Sequence, residues 1–154
     1  LNDAVGGVTV TVPQGENLSA DLQSGMTVRL QGKQAEDFVR YRDTGTEGSN
    51  NQRIARQREF VLNFFSAATD ALQKDVSLPV TLYQELSDEM VTDIGLDNAV
   101  YLATEAVAMQ FGENNLTMLE GETKSGKVYD EFYVDDKKLY ELILNTFYTE
   151  VALN

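Results

Sequence analysis

The sequence predicts an α/β fold: a mixed central sheet covered by helices in a three-layer αβα arrangement, formed as a single domain over residues 1–154. Three observations predict it. Residues 7–12, Gly-Val-Thr-Val-Thr-Val, alternate β-branched side chains and stop at Pro13, the pattern of a half-buried strand. Residues 49–73 carry apolar side chains at helical spacing over a long stretch. Elsewhere, helix-like segments outnumber strand-like ones, and a few strands bury themselves best beneath helices.

The elements follow in order. Leu1-Asn-Asp-Ala-Val-Gly-Gly7 reads as the last turn of a helix stopped by glycine, so the chain is expected to be the C-terminal part of a longer domain, truncated at its N-terminus. After the strand comes a polar loop through Gly25. Met26–Leu30 is a shorter extended piece, broken by Gly32. Lys33–Tyr41 forms a short helix with Ala35, Phe38 and Val39 on its apolar side. Residues 43–50 form a flexible polar loop. Ser49-Asn-Asn-Gln52 has capping-box spacing and opens a helix to about Gln73. Its stripe of Ile54, Val61, Phe65, Ala68 and Leu72, with Phe64 beside it, is expected to be buried, partly against Val8–Val12. Pro79–Met90 is the next helix. Asp97 caps another over Asn98–Met109, with Val100, Thr104, Val107 and Phe111 in its stripe. Asn115–Glu120 and Glu131–Val134 read as strands. Asp135 or Asp136 caps a last helix that turns Leu139, Leu142, Ile143, Thr146 and Phe147 inward.

Composition narrows the chemistry. The chain lacks cysteine and histidine, which excludes thiol chemistry, the usual zinc sites and the commonest general base. Net charge −13 argues against nucleic acid as a partner. No run of apolar residues is long enough to span a membrane, and no signal peptide is visible.

Against that acidic background all six arginines lie within residues 29–58: Arg29, Arg40, Arg42, Arg53, Arg56 and Arg58. This window holds seven basic and four acidic residues, a net of +3, and the rest of the chain holds five and 21, a net of −16. Guanidinium is a planar fork that grips phosphate or carboxylate by two bonds and stays charged. Clustering alone fits a solvated surface with ion pairs, such as Glu36 with Arg40, somewhat better. Two details point to an anion. Arg40 and Arg42 flank Tyr41, and in extended chain they face one side. Arg53, Arg56 and Arg58 crowd the positive end of a helix dipole, a cost that an anion among them would remove. Arg53 and Gln57 lie about 40° apart round that helix, with Arg56 about 60° from Arg53. Gln57 falls in the apolar stripe and needs a partner.

Gly121–Val128 nearly matches the phosphate-loop pattern, but Val128 replaces the metal-binding hydroxyl and the next segment reads as extended, so a hairpin turn is the better reading. The sequons at Asn17 and Asn115 are short chance-level matches, and the acidic pairs Asp88/Glu89 and Asp135/Asp136 read as helix-end and surface charges.

Asp3-Ala-Val-Gly-Gly-Val-Thr-Val10, Leu30-Gln-Gly-Lys-Gln-Ala35, Phe38-Val-Arg-Tyr-Arg-Asp43 and Arg53-Ile-Ala-Arg-Gln-Arg-Glu-Phe60 together resemble the LytR-CpsA-Psr family, closely over residues 1–65 and more loosely beyond. The resemblance implies a membrane-anchored Gram-positive cell-envelope enzyme with its catalytic domain outside the cell. Such enzymes transfer a glycopolymer of teichoic acid or capsule type from a polyprenyl-pyrophosphate carrier to peptidoglycan. It also implies a pyrophosphate held among arginines and magnesium, with the lipid tail in an apolar tunnel. The family's R-x-R pair matches Arg40 and Arg42, the expected catalytic residues. Its downstream arginine and glutamine match Arg53 and Gln57, with Arg56 also in the motif. The family's magnesium-holding aspartates lie in an N-terminal half, with the membrane anchor, that this chain lacks. The chain alone is therefore expected not to turn over substrate. The alternative is a non-catalytic binding module for polyprenyl phosphate or an anionic glycan.

Overall fold

The computed structural model describes residues 1–43, 45, 49–127 and 130–149. Half of the polar loop expected at 43–50, and Val128 and Tyr129 of the expected hairpin turn, lie outside these. The protein is mixed α/β and divides into two compact units, Leu1–Asn115 and Leu116–Asn154.

The first unit holds β1 (Thr9–Thr11), β2 (Thr27–Arg29), α1 (Lys33–Arg40), α2 (Ser49–Lys74), α3 (Leu78–Leu86) and α4 (Leu96–Ala108). β1 and β2 pair antiparallel, with Val10 opposite Val28. The alternation read from the sequence is realised: Val8, Val10 and Val12 are buried, while Thr9 and Thr11 face out. Around these valines pack Leu18 and Leu22 from the following loop, Leu30, Phe38 of α1 and Leu78 of α3. The consecutive glycines Gly6 and Gly7 both have positive φ, and a Cβ on Gly7 would lie 2.7 Å from the Leu30 carbonyl oxygen. The turn into β1 thus closes against Leu30 only because that position has no side chain.

α2 corrects the expected stripe. Its core-facing side chains are Phe60, Phe64, Ala67, Ala68, Ala71 and Leu72, of which Phe64, Ala68 and Leu72 were expected, preceded by the fully buried Arg56. Val61 is 43% exposed. Ile54 and Phe65 are half-buried on another face, where Phe65 meets Phe111 at a ring-centroid distance of 4.4 Å. The helix has two apolar faces, and the one lining the core is interrupted by a charged residue, which hid it from a count of apolar spacing. At α4, Gly95 and not Asp97 occupies the N-cap, and the expected stripe residue Thr104 is exposed. Asp97 sits in the first turn, where its charge complements the helix dipole.

The second unit contains β3 (Gly121–Ser125), β4 (Asp130–Val134) and α5 (Asp136–Phe147). Asn115–Glu120 is not a strand. Asn115 ends a single 3-10 turn, closed by its side-chain oxygen on the Gly112 N–H at 2.9 Å, and irregular chain follows. The strand begins at Gly121 and pairs antiparallel with β4. All five β3 residues are exposed, so nothing required the apolar alternation that marks a half-buried strand. The phosphate-loop-like segment thus supplies a hairpin strand, and β4 follows in place of a helix. Asp135 caps α5, accepting from the Lys137 and Lys138 N–H groups at 3.0 Å. Leu139 and Leu142 are half-buried, whereas Ile143, Thr146 and Phe147, expected inward, are exposed. Among the described residues, no helix is long and apolar enough to cross a membrane.

Candidate functional site

The site is built where the end of α1 meets the start of α2. The last carbonyls of any helix lack intrahelical donors and seek partners outside it. α2 supplies them. Arg56 donates from Nε to the Phe38 carbonyl at 2.9 Å and from Nη2 to the Tyr41 carbonyl. Gln57 Nε2 donates to the Val39 carbonyl at 3.0 Å. The remaining Arg56 terminal nitrogen, Nη1, forms an ion pair with Glu16 from the loop after β1. The guanidinium also lies 5.9 Å from the Tyr41 ring centre. Arg56 is 1% exposed, and the Glu16 side chain 10%.

This clamp fixes the backbone that carries the R-x-R pair, because Tyr41 is the residue between Arg40 and Arg42. Arg42 Nε donates to the Ser49 hydroxyl at 3.3 Å, in the first turn of α2. Arg53 Nη2 donates to the side-chain oxygen of the adjacent Asn50 at 2.8 Å. Two guanidiniums are thus tied to neighbouring residues of one helix start. Arg53 Nε is buried without a hydrogen-bond partner among the described residues. Arg40 stands apart: it is largely exposed and pairs with Glu36 on its own helix at 2.9 Å, the pair expected from i,i+4 spacing. Arg58 leaves the cluster and donates to the Glu113 carbonyl at 3.2 Å.

At the other end of α1, the Asp3 carboxylate accepts the Gly32 N–H, at 2.9 and 3.0 Å from its two oxygens. Asn2 Nδ2 donates to the same carboxylate at 2.7 Å and to the Leu30 carbonyl at 2.8 Å, while its oxygen accepts from Val8 N. The Gly32 N–H, and then Asn2, hold the Asp3 carboxyl below the usual carboxylate range. Glu16, Ser49, Asn50 and Asp3 were not singled out for these roles. Glu16 is a lone acid in a polar loop and gave no signal. Asp3 stood in the stretch of familiar residues, but nothing marked it as the brace of α1.

Among the described residues, no group of three or more carboxylates is arranged to hold a metal ion.

No curated protein and no solved structure matches the chain. The model of the LytR_cpsA_psr family, by contrast, matches residues 1–146, nearly the whole sequence and all of the arginine cluster. The chain therefore belongs to the LytR-CpsA-Psr family, whose field is cell-envelope polymer transfer.

Proposed function

We propose that the chain forms part of a phosphotransferase. It would attach an anionic glycopolymer of teichoic acid or capsule type, delivered on a polyprenyl-pyrophosphate carrier, to peptidoglycan at the outer face of the cell membrane. One observation carries the reading: Arg42 and Arg53 are tied to adjacent residues in the first turn of α2, and Arg53 keeps a buried donor unpartnered. An unpaired buried N–H is costly, and an anion accepting from it would remove the cost. The helix start adds its own free N–H groups and positive dipole end.

In this reading Arg42 and Arg53 meet the pyrophosphate, Arg40 joins them only on leaving Glu36, and Arg56 and Gln57 hold the R-x-R backbone in place. An acceptor hydroxyl attacks the glycan-side phosphorus. A new P–O bond forms, the bond to the lipid phosphate breaks, and polyprenyl phosphate leaves, taking up the hydroxyl proton. The arginines neutralise the charge that develops on the transferred phosphoryl group.

The test follows transfer of a radiolabelled glycan from its lipid carrier to peptidoglycan by the full-length phosphotransferase carrying single substitutions. Arg42→Lys and Arg53→Lys should lower the rate by a factor of roughly 10²–10³, since lysine keeps the charge but loses the fork. Arg58→Lys should be nearly silent. If the Arg42 and Arg53 variants keep near-normal rates while Arg58→Lys loses activity, the cradle has been given to the wrong arginines. Pyrophosphate binding without any turnover would instead support the non-catalytic binding module.

A further inference from the structure

A second site lies on the same helix as the arginine cluster, more than two turns further along. An open groove of about 650 Å³ runs between the double-glycine turn and the C-terminal half of α2. One wall carries Arg29, whose guanidinium lies over Gly6: a Cβ there would sit 3.1 Å from Arg29 Nη2. The other wall is a ladder of polar side chains on α2, namely Asn63, Ser66, Asp70 and Lys74. At 100° per residue these four fall within about 80° of one another, so they line one face. Ala67 and Ala71 form a shallow apolar floor between them.

Three of the charges in this groove are unspent. Among the described residues, Arg29, Asp70 and Lys74 make no ion pair and no side-chain hydrogen bond. Asp70 and Lys74 are spaced i,i+4 with the acid first, the orientation that favours pairing on a helix, and still they do not meet. Asn63 gives its Nδ2 to the Thr9 carbonyl at 3.0 Å, leaving its side-chain oxygen as an acceptor. The groove therefore offers donors at Arg29 and Lys74, acceptors at Asn63 and Asp70, and a hydroxyl at Ser66 that does both. Two cations against one acid leave it net positive, in a chain of net charge −13.

We propose that this groove binds an anionic saccharide segment, its hydroxyls spanning the α2 ladder and its acidic group lying between Arg29 and Lys74. A lipid chain would strip water from three charges without replacing their hydrogen bonds. A lone phosphate would leave most of the volume unfilled. A sugar chain matches the alternation of donors and acceptors along a helix face, and its acid matches the net charge. The proposal rests on the functional reading above, in which both the transferred polymer and the acceptor are such saccharides.

The experiment is an amide chemical-shift and calorimetric titration of the chain with three probes. These are a peptidoglycan disaccharide-peptide, a phosphate-linked oligomer of the transferred polymer, and the neutral disaccharide of N-acetylglucosamine. One of the two anionic probes should shift the amides of Gly6, Gly7, Ser66 and Asp70, and which one does so identifies the source of the saccharide. The neutral disaccharide should bind more weakly. Arg29→Gln and Lys74→Gln should each weaken the anionic probe by roughly tenfold, the loss expected for one charge-assisted contact. Both residues are exposed and unpaired, so these variants should melt as the parent does. Inorganic pyrophosphate forms a separate arm. Its binding should be unchanged in Arg29→Gln and weakened in Arg53→Gln, so failure of this arm falls on the functional reading alone. No shift in the groove with either anionic probe, or binding indifferent to both Arg29→Gln and Lys74→Gln, overturns the saccharide site.

Discussion

The two ends of α1 are held by one device with opposite charges and opposite burial. At the start, the exposed Asp3 carboxylate takes the Gly32 N–H. At the end, the buried Arg56 guanidinium donates to the Phe38 and Tyr41 carbonyls, with Gln57 on Val39 beside it. Each sign suits the helix dipole at its end. What separates them is water. An exposed carboxylate that loses its partner is rehydrated, whereas a buried guanidinium and its carbonyls have nowhere else to turn. The exit of the chain toward Arg42, and hence the candidate site, is set at the end where failure costs most.

The largest expected effect breaks that end. Arg56→Met removes one member of a buried ion pair and leaves Glu16 and two carbonyls unsatisfied, a loss of about 3–5 kcal/mol. A urea melt reads it as a lower midpoint at unchanged slope. Arg56→Lys should recover only part of the loss, because one ammonium cannot serve Phe38, Tyr41 and Glu16 together. If both variants melt within about 1 kcal/mol of the parent, then water reaches the clamp and its ends are alike after all.

Glu16→Gln sharpens the same point from the other side. The amide keeps an acceptor near Arg56 Nη1 but cancels the charge, so a smaller loss of about 1–3 kcal/mol is expected. The measurement is again the melt, run at low and high salt. A loss that vanishes at high salt would place the pair in solvent rather than in the core.

Those two residues also mark the limit of what the sequence made legible. The valine alternation of β1, the extents of α1 and α2, a cap at Asp135 or Asp136 and the arginine cluster could all be read directly, because each leaves a local period or a fixed spacing. The core-facing side of α2 could not. Arg56, Phe60, Phe64, Ala67 and Ala71 form a stripe with a charge at its head and alanines at its tail, so the bulkier set at Ile54, Val61 and Phe65 looked stronger. Glu16 lies forty residues from Arg56, and no local rule links them. β3 failed for the opposite reason: exposed on both faces, it carried no pattern to read.

A more modest change tests whether Arg56 acts alone at its end. Gln57→Ala removes one exposed hydrogen bond to the Val39 carbonyl and should cost about 0.5–1.5 kcal/mol at most. A loss as large as that of Arg56→Met would mean that the two side chains cap α1 as one unit, which a double-mutant cycle would then measure.

The smallest effect belongs to Asp3, and it should depend on pH. The Gly32 N–H, and secondly Asn2, depress its carboxyl in the folded state. A depressed carboxylate adds stability that is present above the unfolded value, about 3.9 for aspartate, and is lost as pH falls through the folded value. Asp3→Asn should therefore separate most from the parent near neutral pH, and the two should approach each other in acid, where the parent's carboxyl is also neutral. Melts at steps from pH 7 to pH 2 give both curves. Parallel curves would mean that Asp3 contributes no charge-dependent hold on α1. Among the described residues, the buried Arg56 guanidinium would then be the charged group that anchors that helix.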